Sequence, residues 1–234
     1  MRYLSFGAGV NTTALLLLYP EVYYDEVIFA DTGAELPKTY EYIDEYVKPF
    51  LKDIGIKFTV VRGNEKGMSS LEEYCIYYKI VPSMQVRWCT EKFKLDPIAK
   101  YLKKTKKGDE YPIIALLGIT YEEKDRIKES PYLWQVNEYP LVQRKLTRQD
   151  SIRIIRSYGW SVPPRSGCFF CPFQSSVQLR FLYLHYPELY ERAIRLEENS
   201  QQFPKFTLLP NGISLRVLRN RFGHGNHRLE EYVI

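Results

Sequence analysis

Two stretches of the chain combine residue types that packing alone does not require. The first reads Ser5-Phe6-Gly7-Ala8-Gly9-Val10-Asn11-Thr12-Thr13 and leads into the apolar run Ala14–Leu18. Gly7 and Gly9 permit a tight turn and a close backbone approach to a ligand. Thr12 and Thr13 add hydroxyls at a helix N-terminus, where the dipole favours an anion. That is the chemistry of a phosphate cradle, with a ligand-free structural turn as the plainer alternative. It is neither a loop ending in Gly-Lys-Ser/Thr nor the three-glycine dinucleotide spacing. The second stretch is Gly167-Cys168-Phe169-Phe170-Cys171-Pro172, preceded by Cys75 and Cys89. In an intracellular chain such a pair is more often a metal or redox site than a disulfide. The four thiolates of Cys75, Cys89, Cys168 and Cys171 suit a tetrahedral zinc ion or an iron–sulfur cluster, with free or redox-active thiols as a third reading. Phe169, Phe170 and Phe173 would shield such a centre.

Strands alternating with helices must position these residues. Strands are expected at residues 2–6, Glu26–Ala30, Lys57–Val61 and Tyr111–Gly118, with an extended segment over Val136–Val142. Helices are expected at Ala14–Leu18, Pro37–Ile54, Ser69–Tyr78, Leu95–Lys103, Arg148–Tyr158, Val177–His185 and Pro187–Asn199. Ser69-Ser70 before Glu72-Glu73, and Thr147 before Arg148, read as helix starts. The pattern predicts an α/β fold: an open, mostly parallel twisted sheet with helices on both faces, plus a small C-terminal helical region. The expected division is a nucleotide-binding domain over 1–160 and a Cys-x-x-Cys and helical region over 161–234. Ligands bind such sheets at the carboxyl ends of the strands, where Gly7–Thr13 and Asp31-Thr32-Gly33 both fall.

The chain of 234 residues, 45% hydrophobic and 26% charged, is ordinary for a globular protein. No run of about 18 apolar residues suggests a membrane span, and no secretory signal is evident, so a cytoplasmic protein is expected. The net charge of +5 accommodates a phosphate-bearing ligand or nucleic acid without demanding either. Basic residues gather at Lys103, Lys104, Lys106 and Lys107 and at Arg216, Arg219, Arg221, His224, His227 and Arg228. These are solvated surfaces or a landing site for RNA or DNA phosphates. Tyr40, Tyr42 and Tyr46, and Tyr74, Tyr77 and Tyr78, lie at helical spacing as half-buried rings.

Gly7-Ala8-Gly9-Val10-Asn11-Thr12 is similar to the pyrophosphate loop (PP-loop) of the adenine nucleotide α-hydrolase-like superfamily, whose usual form is Ser-Gly-Gly-x-Asp-Ser. Here Gly7 replaces the first Ser, Asn11 the Asp and Thr12 the last Ser. Further segments resemble the phosphoadenosine phosphosulfate (PAPS) reductase branch, in its order. They are Asp31-Thr32-Gly33-Ala34-Glu35 with Pro37, Arg87-Trp88-Cys89-Thr90 with Lys94 and Pro97, and Gly118-Ile119-Thr120 with Glu122, Glu123 and Arg126. Tyr139-Pro140-Leu141 followed by Asp150, and the terminal Cys-x-x-Cys-Pro, complete the series.

The resemblance implies an adenine nucleotide, ATP or APS/PAPS, held by Ser5, Gly7, Ala8, Gly9, Asn11, Thr12, Thr13 and Gly118, with Mg²⁺ expected beside ATP. Asp31, Thr32, Gly33 and Glu35 would meet the ribose or adenine, or Asp31 and Glu35 would merely cap the next helix. Arg87, Lys94 and Arg126 would stabilise phosphoryl charge, with surface ion pairing as the alternative. It further implies a four-iron–four-sulfur cluster on Cys75, Cys89, Cys168 and Cys171, with Zn²⁺ as the alternative. The reductases proper use a further cysteine near the C-terminus, whereas no cysteine follows Cys171 here. The expected activity is therefore adenylation of a substrate followed by sulfur transfer, with tRNA or DNA as substrate and a sulfur donor protein as partner. Sulfonucleotide reduction, and a non-catalytic nucleotide-binding subunit of a nucleic-acid modification system, are the alternatives.

Overall fold

The computed structural model describes residues 1–64, 66–105, 112–201 and 203–223. In chain order its elements are β1 (Arg2–Phe6), α1 (Val10–Leu17), β2 (Glu26–Asp31), α2 (Pro37–Tyr42), a π-helical stretch (Ile43–Val47), α3 (Lys48–Asp53) and β3 (Lys57–Arg62). Then come α4 (Leu71–Tyr78), α5 (Trp88–Thr90), a second π-helical stretch (Glu91–Leu95), α6 (Asp96–Thr105), β4 (Ile113–Leu116) and a 3₁₀ turn (Tyr121–Arg126). The series ends with β5 (Gln135–Glu138), α7 (Pro140–Gln143), α8 (Arg148–Ser157), α9 (Ser176–His185), α10 (Pro187–Asn199) and α11 (Leu215–Gly223). The chain forms two compact units, described separately below. The first comprises Met1–Asp31, Glu35–Arg62 and Leu95–Ser166; the second comprises Thr32–Ala34, Gly63–Lys94 and the chain from Gly167 onward.

The first unit is built on a sheet of order β3-β2-β1-β4-β5, every adjacent pair parallel. Such strands are buried on both faces, which explains why β2 is buried at all six positions and reads as a near-continuous apolar run. Alternation then sorts the side chains. Leu4, Phe6, Val27, Phe29 and Leu116 join α1, α3 and α8 in one core cluster. Tyr3, Ile28, Ala30, Ile113 and Ala115 join Ile98 and Leu102 of α6 in the other. Helices therefore cover both faces, as the sequence pattern predicts. After β3 the chain returns to the far side of β1 to form β4, so strand order reverses between β1 and β4.

Local chemistry explains several element ends. Thr147 Oγ1 accepts from Asp150 N while Asp150 Oδ2 accepts from Thr147 N, which starts α8 where the sequence places it. The single helix expected over Pro37–Ile54 is instead three segments. Pro49 has no N–H to return to Glu45, and the π-helical turn just before it absorbs the lost bond. The extended reading of Val136–Val142 holds only as far as Glu138. Pro140, with its φ fixed for a first helical turn, opens α7.

In the second unit Ser70 caps α4 through a reciprocal box with Glu73: Ser70 Oγ accepts from Glu73 N at 3.1 Å, and Glu73 Oε2 from Ser70 N at 3.2 Å. Leu71, Tyr74, Phe169, Phe170, Leu179, Tyr190 and Ile194 are buried. The carboxylate of Glu197, itself buried, accepts from Leu208 N at 2.7 Å and Leu215 N at 2.8 Å, the second at the first residue of α11. Among the described residues no helix is long and apolar enough to cross a membrane.

Candidate nucleotide site and thiol set

Ser5 lies in β1 and its chain runs straight into the turn at Gly7. Ala8 has a left-handed backbone (φ 55°) and is buried, so the turn reverses sharply at a residue whose small side chain limits the strain. Gly9 is the N-cap of α1, and its carbonyl accepts the first helical bond from Thr13 N at 2.9 Å. Thr12 Oγ1 accepts from both Gly7 N and Gly9 N at 3.3 Å and donates to Gly9 O at 3.1 Å. The turn thus curls its amides around an oxygen, as an anion-binding nest does.

Two polar atoms of this turn stand out. Asn11 Oδ1 and Thr13 Oγ1 are buried without a hydrogen-bond partner among the described residues. Such groups are costly unless something satisfies them. The other end of the Asn11 amide is held: Nδ2 donates to Glu123 Oε2 at 2.9 Å. Glu123 also accepts from Thr120 Oγ1 at 3.1 Å and pairs with Arg126 in the same 3₁₀ turn. Gly118, at the end of β4, backs onto α1, where a Cβ would come within 2.7 Å of Thr12 Cγ2. The strand-order reversal therefore carries the cradle on one side and Gly118, Glu123 and Arg126 on the other, where open α/β sheets bind ligands.

Asp31 ends β2 in full burial. Its Oδ1 accepts from Tyr40 Oη at 2.7 Å and its Oδ2 from Arg62 Nε at 2.9 Å and Nη2 at 2.7 Å. Burial, then the bond to Asp31, pushes the Tyr40 hydroxyl well above its ordinary pKa. Glu35 is buried in the same unit. Sequence reasoning overlooked two residues here. Arg62 closes β3 in register with Asp31. Ser166 places its Oγ 2.7 Å from where a Cβ on Gly9 would lie. The arginine was signalled by its place at a strand's carboxyl end; the serine carried no signal.

In the second unit, Thr32 and Gly33 meet both α4 and the cysteine loop. Thr32 O accepts from Leu71 N at 2.8 Å, and Ala34 O accepts from Phe169 N at 2.9 Å. Gly33 is left-handed (φ 67°), and a Cβ there would strike Ser70 Cβ at 2.7 Å. Thr32 Oγ1 lies 3.6 Å from Cys168 Sγ. Arg87 is exposed, its guanidinium 5.2 Å from the Phe173 ring centre. Lys94 acts electrostatically on Cys89, drawing its thiol down.

None of the cysteines is in a disulfide. Burial pushes the Cys75 thiol up strongly, and the fields of Cys168 and Cys89 add to it. Burial also raises Cys89, followed by Cys171. Cys75 is thus within electrostatic reach of Cys168 and Cys89, and Cys89 of Cys171. Among the described residues, however, no three cysteine, histidine or acidic groups converge closely enough to hold a metal ion.

Two members of the C-terminal basic cluster are in ion pairs. Arg216 pairs with Glu198 and Arg219 with Glu191, while Lys106, Lys107, His224, His227 and Arg228 lie outside the described residues. A groove of about 720 Å³ lined by Glu72, Arg192 and Arg195 contains none of the sequence-predicted site residues.

Comparison with known proteins agrees with this architecture. An uncharacterized protein of Methanocaldococcus jannaschii is 28% identical over 202 residues, covering 81% of this chain and 46% of that protein. A second from the same organism is 25% identical over 205 residues, covering 80% and 39%. The chain thus spans less than half the length of these curated relatives. The crystal structure of phosphoadenylyl-sulfate (PAPS) reductase from Candida auris, a phosphate complex, shares the fold with a TM-score of 0.50. The likeness covers 71% of this chain and 80% of that one at 14% identity. The family profile of the phosphoadenosine phosphosulfate reductase domain matches residues 2–140. The chain belongs to that family, the PAPS reductase-like branch of the PP-loop superfamily.

Proposed function

We propose that the protein is an adenine-nucleotide enzyme that activates a substrate at the α-phosphate of ATP and passes sulfur to it. The observation that carries this reading is the turn from Gly7 to Thr13, with its amides curled around Thr12 Oγ1 and its buried, unpartnered Asn11 Oδ1 and Thr13 Oγ1. In the proposed reaction a substrate oxygen attacks the α-phosphate and pyrophosphate leaves. A sulfur nucleophile then attacks the activated carbon and expels AMP. Arg126 is the proposed source of positive charge for the phosphoryl oxygens. Mg²⁺ would accompany ATP and share in neutralising its phosphates. Cys75, Cys89, Cys168 and Cys171 are the proposed ligands of an iron–sulfur cluster or of zinc. Thiolate is the soft ligand type that such a centre takes. A cluster there would hold or deliver sulfur. The proposed acceptor is tRNA or DNA, with a sulfur donor protein as partner, in the cytoplasm.

Family membership favours a second reading, reduction of APS or PAPS, with these cysteines supplying the thiols. Incubation with ATP and, separately, with PAPS distinguishes the two. Pyrophosphate release from ATP supports adenylation. Sulfite release from PAPS, with no pyrophosphate from ATP, overturns it in favour of reduction.

A further inference from the structure

The groove between α4 and α10 belongs wholly to the second unit, apart from the phosphate cradle. Its two carboxylates are already matched. Glu72 Oε1 accepts from Arg192 Nε at 2.9 Å, and that guanidinium lies 5.1 Å from the Phe169 ring centre. Glu198 Oε2 accepts from Arg216 Nη2 at 2.7 Å. Arg195 differs: it is exposed and makes no ion pair among the described residues. The acids one helical turn to either side of it, Glu191 and Glu198, are taken by Arg219 and Arg216. The lining is thus left with one uncompensated positive charge. Leu196, which is buried, and Ile76, which is 52% exposed, give the same groove an apolar surface. Asn199 adds an amide with both donor and acceptor. Where α4 and α10 end, Lys79 is a second exposed cation without an ion pair among the described residues. Its carbonyl accepts from Gln201 N at 2.9 Å, just beyond α10.

We propose that this groove docks an acidic, apolar peptide segment of a partner protein, with a carboxylate on Arg195 and an apolar side chain against Ile76 and Leu196. Arginine pairs with carboxylates through two parallel bonds and is enriched where interfaces concentrate their binding energy. The Asn199 amide suits the N–H and C=O groups of a peptide main chain. A nucleic-acid backbone fits less well, because its successive phosphates would run along Glu72 and Glu198 as well as Arg195. The inference is independent of the nucleotide reading above.

Fluorescence anisotropy with two labelled peptides tests this, one of alternating Glu and Leu and one of alternating Lys and Leu. The proteins are wild type, Arg195→Lys and Arg195→Glu, each shown by thermal melting to be folded. The wild type is expected to bind the glutamate peptide saturably and about tenfold or more tightly than the lysine peptide, a gap that narrows at high salt. Arg195→Lys should keep that preference. Arg195→Glu should reverse it, which a merely structural role for Arg195 would not do. Absence of saturable binding to the wild type, equal binding of the two peptides, or a preference unchanged in Arg195→Glu overturns the proposal. A thymidine oligonucleotide that displaces the peptide, and whose own binding is lost in Arg195→Glu, overturns it in favour of nucleic acid.

Discussion

Gly118 lies so close to Thr12 that the first atom of any side chain at 118 would stand 2.7 Å from Thr12 Cγ2 and 3.0 Å from Thr12 N. The end of β4 and the start of α1 therefore fix each other, and with them the phosphate cradle. Gly118→Ala is expected to destabilise the fold by about 1–3 kcal/mol through overpacking, and to weaken ATP binding as α1 is displaced. Gly7 is the contrasting position: the nearest atom to a Cβ there is Thr12 Oγ1 at 4.0 Å. Gly7→Ala should leave a urea melt nearly unchanged, so any loss of ATP affinity reports crowding of the ligand itself.

Acid stability should depend on Asp150. Its carboxylate accepts from the Thr147 hydroxyl and N–H, which hold its pKa below the ordinary value. A carboxylate with a depressed folded pKa stabilises the fold above its unfolded pKa of about 3.9, and that contribution is lost as pH falls through the folded value. Melts from neutrality down to strong acid should show a steeper acid limb for wild type than for Asp150→Asn. Superimposable limbs would remove Asp150 from the account.

Glu197 makes a sharper test of the second unit. Burial pushes its carboxyl up, while the N–H groups of Leu208 and Leu215 pull it back. Glu197→Gln keeps the shape but turns an amide NH₂ toward one of those donors. The expected cost is about 1–3 kcal/mol, read by chemical denaturation.

The thiol set predicts a metal. Anaerobically purified protein should carry iron and the thiolate-to-iron absorption of a cluster, lost in Cys168→Ser and Cys171→Ser. Colourless protein containing zinc would select the tetrahedral alternative. Protein with neither metal and four titratable thiols would leave Cys75, Cys89, Cys168 and Cys171 outside metal chemistry.

Much of the fold was legible because its signals are local. Buried parallel strands such as β2 read as apolar runs, and Ser69-Ser70 before Glu72-Glu73 and Thr147 before Arg148 announce their helices locally. What was not legible depended on backbone adjustment or on distance in sequence. The π-helical turn before Pro49 and the helical turn opened by Pro140 are local responses to proline that periodicity does not register. The site divides in the same way. The Gly7–Thr13 turn was visible in its residue types, whereas the reach of Glu123 to Asn11, Asp31's engagement by Arg62, and the mutual influence of Cys75 and Cys168 come from tertiary structure.

The central claim is that the turn after β1 binds adenine-nucleotide phosphate, and Gly9→Asp tests it most directly. An Asp there adds a negative charge at the cap of α1 and crowds Ser166. Calorimetry of ATP binding, on wild type and on a Gly9→Asp protein shown by melting to be folded, should give saturable binding for the first and none for the second. Equal affinity in the two would contradict the account.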